Sequence, residues 1–150
     1  MKKRILCFGD SNTYGSNPAG GRFDEATRFP MRLAALLGSD YTVLEEGLGG
    51  RTICVEGGYK SGAAYLPPCL LSHNPLDVVV LMLGTNDAKQ RFGMNAHTIA
   101  QSLQQLVMQV RLYGMNAVGD RPRCLIVAPP RTAKLSMKRQ FDIVYDTPSV

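Results

Sequence analysis

A serine that directly follows a short apolar run is the first residue whose position suggests chemistry. Ile5 to Phe8 predicts a buried strand, which is broken at once by Gly9-Asp10-Ser11. A side chain placed where a strand ends lies at the carboxyl edge of a sheet, and ligands bind at that edge in open α/β proteins. A serine hydroxyl there can attack a carbonyl carbon when a base activates it. The same residue types also cap turns and helices, so this segment alone leaves both interpretations open.

Two later strand ends carry glycine-rich or polar segments of the same kind. Gly47-Leu48-Gly49-Gly50 follows the second predicted strand, and Gly84-Thr85-Asn86-Asp87 follows the third. Because parallel strands end on one side of a sheet, these loops are expected to converge with the serine. Together they offer donors for a developing oxyanion: the backbone N–H groups of Ser11 and of the glycine loop, and the side-chain amide of Asn86. The sequence therefore predicts a site for acyl transfer.

The elements that must position these loops alternate between strand and helix. Two segments have the 3.6-residue spacing of helices. In residues 29–37 the side chains Leu33, Leu36 and Leu37 share a face, and residues 96–112 are followed by Gly114, which can end a helix. Five consecutive apolar residues, 78–82, are typical of a strand buried on both faces. The predicted strands are 5–8, 41–44, 77–83 and 124–128; residues 12–27 and 55–64 are predicted loops, and 65–71 a short helix or turn. The alternation predicts an α/β fold with three layers, a flavodoxin-like parallel sheet with helices on both faces, truncated after the fourth strand.

Bulk properties narrow the class of protein. The 150 residues are 45% hydrophobic and 19% charged, which favours one globular domain. No apolar run approaches the ~20 residues of a membrane helix, and the basic start lacks a signal-peptide core, so a cytoplasmic protein without a membrane partner is expected. Residues 1–120 hold 11 basic and 10 acidic side chains, whereas residues 121–150 hold 6 and 2. The positive excess belongs mainly to the tail, so no nucleic acid is expected as a partner.

The cysteines do not predict a metal centre. No two of the four cysteines form a C-x-x-C pair, and two of them lie in apolar runs that are predicted strands; the four are Cys7, Cys54, Cys69 and Cys124. We expect buried free thiols and no zinc site.

With these segments in view, the chain resembles the SGNH, or GDSL-type, ester hydrolases. Gly9-Asp-Ser-Asn-Thr-Tyr-Gly15, Glu45-Glu-Gly-Leu-Gly-Gly-Arg-Thr52 and Gly84-Thr-Asn-Asp87 are similar to the first three blocks of that family. Tyr65-Leu-Pro-Pro-Cys-Leu70 is similar to a segment of its bacterial arylesterase and acyltransferase branch. The resemblance covers about residues 1–130. It implies hydrolysis or acyl transfer of a small acyl ester, without cofactor or metal.

The resemblance also implies roles for single residues. Ser11 would be the nucleophile, and Gly50 and Asn86 the other residues of the oxyanion hole. Asp10, Arg51 and Asp87 flank these positions and are candidates for substrate binding. Each has a second interpretation, because aspartates commonly brace loops and Arg51 could equally be a solvated arginine.

One block of the family pattern does not occur in this sequence. The Asp-x-x-His segment would supply the general base, and neither His73 nor His97 has an aspartate three residues before it. Residues 131–150 no longer resemble the family and are predicted to be a divergent basic tail. Two hypotheses follow: a serine ester hydrolase, or an impaired domain that binds a ligand or partner without turnover. A nucleotide binder is disfavoured, since no phosphate-cradling glycine motif is present. A sheet ending at 124–128 would expose an edge, so a homo-oligomer is expected.

Overall fold

The described part of the chain, residues 2–129 of a computed structural model, is built on a sheet of four parallel strands. Their order is β2-β1-β3-β4, which is the flavodoxin-like arrangement. The strands are β1 (Lys3–Gly9), β2 (Tyr41–Gly47), β3 (Val78–Met82) and β4 (Arg123–Ile126). The helices are α1 (Ser11–Tyr14), α2 (Phe29–Leu37), α3 (Gly62–His73) and α4 (Ala96–Tyr113), with 3₁₀ turns at Gly58–Lys60 and Gln90–Phe92.

Helices cover both faces of the sheet because β1 and β3 are apolar on both sides. Leu6 and Phe8 of β1 belong to a core that includes residues of α3 and α4, whereas Ile5 and Cys7 belong to a second core that packs against α2. The period-two alternation of a strand sends neighbouring side chains to opposite faces, which produces these two cores. The predicted three-layer α/β fold is therefore confirmed.

The register of the strands places the ends of β1, β2 and β3 beside one another, so the loops that follow them begin at the same edge of the sheet. Gly9, the last residue of β1, pairs with Gly47 on one side and with Met82 on the other. Three strands thus end side by side, and the segments that follow them start from the same edge.

Helix α3 is longer than the predicted short helix or turn. It contains Pro67 and Pro68, which lack the N–H groups that would bond the carbonyls one turn earlier. The side chain of Gln109, in α4, donates to the carbonyl of Ala63 at 2.9 Å and replaces the bond that Pro67 cannot make. A tertiary contact thus satisfies the carbonyl that Pro67 leaves free, and the helix continues to His73.

Three further expectations were wrong in detail. Residues 11–14 form a helical turn rather than loop. Leu36 is 80% exposed instead of sharing the apolar face of α2, because that helix buries only one narrow side. Cys54 is exposed, although all four cysteines are free, as expected. The predicted tail, residues 131–150, and the boundary at residue 130 lie outside the described residues.

Candidate active site

Ser11 begins the helical turn α1 immediately after β1. The carboxylate of Asp10 caps that turn by accepting a hydrogen bond from the backbone N–H of Asn12 at 2.9 Å. The turn ends at Gly15, whose backbone is left-handed with φ of 82°. Ser11 itself is partly exposed. Asp10 is thus the residue that caps the helix. Ser11 is not needed as the cap, and its hydroxyl lies at the edge of the sheet.

The side-chain amide of Asn86 joins the three loops. Its Nδ2 donates to the carbonyl oxygen of Arg51 at 3.0 Å and lies 3.5 Å from Oδ2 of Asp10. Asp10 adjoins Ser11 in sequence, and Arg51 adjoins Gly50. The predicted convergence of the serine loop, the glycine loop and the Asn86 loop is therefore present within hydrogen-bonding distance.

The glycine loop needs glycine at two positions for different reasons. Gly50 has a φ of 78°, in the left-handed region that side chains disfavour, and a Cβ there would meet nothing closer than the Lys60 side chain at 4.0 Å. Space is therefore open in front of Gly50. At Gly47, a Cβ would collide with the backbone of Tyr14, so glycine allows α1 to pack against the end of β2.

Arg51 is a buried residue that ties two strand ends together. Its side chain is 3% exposed, and its Nη1 donates to the carbonyl oxygens of Gly9 at 3.0 Å and Glu46 at 2.6 Å. The guanidinium lies 4.3 Å from the centroid of the Phe8 ring and 5.0 Å from that of Tyr65. Burial lowers the pKa of Arg51, although the nearby Glu46 opposes this effect. Arg51 is therefore not the solvated arginine that one of the two interpretations expected.

Two buried carboxylates brace the site. Asp87 is fully buried, and its Oδ1 accepts a hydrogen bond from the backbone N–H of Ile53 at 2.9 Å. Desolvation raises the pKa of Asp87, against the effect of that bond. Desolvation likewise raises the pKa of Asp10, which is 1% exposed, and hydrogen bonds from Asn12 oppose it.

The two histidines lie on different parts of the fold. His97 is exposed in the first turn of α4. The carbonyl of His73 accepts a hydrogen bond from Nη2 of Arg4 at 3.0 Å, which places the end of α3 near the start of β1. The imidazole Nε2 of His73 lies 2.8 Å from Oε1 of Glu46.

The sequence analysis did not identify the cluster around Glu46. Glu46 on β2 meets Cys69 and His73 on α3, and their ligand atoms all lie within 4.8 Å of one another. The four-residue spacing of Cys69 and His73 was a usable signal, but only a predicted helix through both residues would have revealed it.

One surface depression lies away from this site. It is lined by Lys2, Lys3, Ser39, Asp40 and Tyr41, at the amino end of β1 and β2. Among residues 2–129, no helix combines the length and the apolar character needed to cross a lipid bilayer.

The parallel sheet covered by helices defines a protein of the α/β class. The strand ends that lie side by side, and the loops joined by Asn86, place its candidate site at the carboxyl edge of the sheet. The family model for the GDSL-like Lipase/Acylhydrolase family matches residues 7–141. The chain therefore belongs to this family, which confirms the resemblance seen in the sequence.

Solved structures and a curated protein extend this comparison. The inhibitor-bound aryl esterase of M. smegmatis is 42% identical with a TM-score of 0.81, covering 86% of this chain and 65% of that one. A carbohydrate acetylesterase family member from Sinorhizobium meliloti is 37% identical with a TM-score of 0.81, covering 89% and 67%. An acetylxylan esterase of Xylanibacter ruminicola is 31% identical over 108 residues, which is 72% of this chain and 22% of that protein. This chain thus spans about two thirds of the aryl esterase and less than a quarter of the acetylxylan esterase.

Proposed function

We propose that this chain hydrolyses small carboxylic esters, or transfers their acyl groups, through Ser11. The observation that carries the proposal is the Asn86 amide, which bonds the residue after Gly50 and lies against the residue before Ser11. The nucleophile and the oxyanion donors must all lie around one reacting carbonyl. The Asn86 contacts bring together the loops that carry these groups.

Each group has a defined part in the proposed reaction. The Ser11 hydroxyl oxygen bonds to the carbonyl carbon while its proton passes to a base, and the carbonyl oxygen becomes an oxyanion. The N–H groups of Ser11 and Gly50 and the amide of Asn86 donate to that oxyanion. The bond to the alkoxy oxygen then breaks, that oxygen takes the proton back from the base and leaves as the alcohol, and an acyl-serine remains. Water or a second alcohol attacks the acyl-serine, which releases the acid or a new ester and restores the Ser11 hydroxyl.

The side-chain amide of Asn86 has a hydrogen available to donate to the oxyanion. It carries two hydrogens, and the 3.0 Å bond to Arg51 engages one of them. The 3.5 Å contact with Asp10 is at the outer limit of a hydrogen bond, so it is weak. An oxyanion can therefore compete for the second hydrogen.

We further propose that Asp10, Arg51 and Asp87 act by holding the loops and not by touching the substrate. Their side chains are 1%, 3% and 0% exposed, so little surface remains for a ligand. Their partners are backbone groups of the same loops: Asn12, Gly9 and Ile53.

The names of the relatives support esters of short acyl groups as substrates. They are described as an aryl esterase, a carbohydrate acetylesterase family member and an acetylxylan esterase. The alternative function, a domain that binds such ligands without turnover, rests on the general base. Within residues 2–129, His73 is engaged by Glu46 and His97 is exposed on α4, and we assign the base to neither.

Hydrolysis of p-nitrophenyl acetate separates the two functions. We expect turnover by the unmodified chain, background rates for Ser11→Ala, and a kcat about 10²–10³-fold lower for Asn86→Ala. Ser39→Ala is the matched control, since Ser39 is exposed just before β2, at the other end of the strands. Equal rates for the unmodified chain and Ser11→Ala would reject the hydrolase and favour the binding domain.

The predictions of location, nucleic-acid binding and self-association are independent of the proposed reaction. The expected cytoplasmic location and the expected lack of a nucleic-acid partner stay predictions. Self-association is supported by Leu125 and Ile126 on the edge strand β4, which are 54% and 48% exposed in the described part of the chain. Light scattering coupled to size-exclusion chromatography tests it, and a monomer at all concentrations would argue against it.

A further inference from the structure

Helix α3 and strand β2 present three potential metal ligands to one another. Cys69 and His73 are four residues apart on α3, so they share one face of the helix. Glu46 lies two residues after Leu44 on β2, and Leu44 packs against the core that contains Cys69. The alternation of the strand therefore directs Glu46 to the same side of the sheet.

We propose that Glu46, Cys69 and His73 form a binding site for a divalent transition metal ion, with Zn²⁺ as its expected occupant. The carboxylate oxygen, the sulfur and the imidazole nitrogen all lie within 4.8 Å of one another, and His73 Nε2 is 2.8 Å from Glu46 Oε1. Zinc ligands lie about 2.0–2.3 Å from the ion, which places them about 3.5 Å apart in a tetrahedron. Side-chain rotations on metal binding would have to close the difference.

The chemistry of the three ligands favours zinc over a hard cation. Carboxylate, thiolate and imidazole together match borderline-soft metals, whereas Mg²⁺ and Ca²⁺ require oxygen ligands. The side chains of His73 and Glu46 are 28% and 20% exposed, so an ion has an entrance and water can complete the coordination.

Burial of the sulfur argues against a nucleophilic role for the same cluster. Cys69 is 3% exposed, and burial, reinforced by the charge of Glu46, raises the pKa of its thiol to about 12. Its burial keeps the sulfur away from electrophiles in solution, whereas a bound metal would displace the thiol proton. The Arg51 guanidinium acts in the opposite direction and favours the thiolate. With zinc bound, the carboxylate and thiolate together neutralise the ion.

Titration of the metal-free, reduced protein with Co²⁺ tests the proposal directly. We expect one equivalent to bind with a thiolate-to-cobalt charge-transfer band in the near ultraviolet, and Zn²⁺ to displace it. Cys69→Ser should abolish the band, and His73→Gln and Glu46→Gln should each weaken binding by at least about tenfold. The matched controls are Cys54→Ser and His97→Gln, which alter an exposed cysteine and an exposed histidine.

Several outcomes would overturn the site. No charge-transfer band in the unmodified protein would mean that the Glu46–His73 contact is a hydrogen bond and nothing more. A band that persists in Cys69→Ser, or that disappears in Cys54→Ser, would locate binding elsewhere. Circular dichroism checks that each variant folds. If Cys69→Ser does not fold, the contrast between His73→Gln and His97→Gln decides. None of these readouts depends on ester hydrolysis.

Discussion

Replacing Arg51 by alanine should destabilise the fold more than a surface substitution can. The guanidinium is buried, donates to the carbonyls of Gly9 and Glu46, and stacks on Phe8 and Tyr65. Alanine would remove the Arg51 hydrogen bonds to both carbonyls, of which Gly9 keeps the bond from the backbone N–H of Leu48 at 3.1 Å. It would also open a space beside both rings. The perturbation therefore acts on the strand ends that carry the serine and glycine loops.

The expected loss follows from the contacts. Hydrogen bonds to a charged donor contribute about 1.5–3 kcal/mol each, and stacking on aromatic rings about 0.5–2 kcal/mol. The desolvation that lowers the pKa of Arg51 also reduces its net contribution. We expect a net loss of about 3–5 kcal/mol for Arg51→Ala, a large share of the ~5–15 kcal/mol of a typical domain. Arg51→Met keeps the apolar stem and removes the buried charge, so it should lose less.

Urea unfolding followed by circular dichroism measures these differences in the free energy of unfolding. Arg32→Ala is the control, because Arg32 is exposed on α2 and should change stability by no more than about 0.5 kcal/mol. A loss below about 1 kcal/mol for Arg51→Ala would refute the reasoning, since it would mean that the guanidinium does not hold the strand ends.

Three further predictions concern the backbone, the pH dependence and helix α3. Gly50→Ala should lower the free energy of unfolding by about 1–2 kcal/mol, because the backbone of Gly50 is left-handed. Gly49 has no such φ and has open space around it, so Gly49→Ala is the control and should have no such effect. Equal effects of the two substitutions would contradict this prediction. Because burial raises the pKa of Asp10, the folded state holds its proton more tightly, and the free energy of unfolding should fall as pH rises from about 4 through that raised pKa. Asp10→Asn should reduce this slope to the part that comes from Asp87, whose pKa burial also raises, and an unchanged slope would refute the assignment. Gln109→Ala should cost about 1–3 kcal/mol by leaving the Ala63 carbonyl unpaired, and unaltered thermal unfolding would show that water replaces the bond.

The sequence by itself determined the layers of the fold and the family. The uniformly apolar runs in β1 and β3 predict strands buried on both faces, and helical spacing in residues 29–37 and 96–112 predicts covering helices. These patterns are local, so they can be recognised without knowing what packs against them. The three strand-end segments placed Ser11, Gly50 and Asn86 at one edge for the same reason.

Only the tertiary structure decided what the polar side chains touch. Local rules end α3 at its prolines, but a Gln109 side chain 42 residues beyond Pro67 lets it continue. Arg51 follows a glycine loop, where solvent or substrate was the natural expectation, and it is buried because two strand ends present carbonyls to it. Glu46 and His73 are 27 residues apart and meet only because α3 packs on the sheet. Hydrogen bonds and metal ligands depend on distances in space, which one-dimensional spacing does not contain.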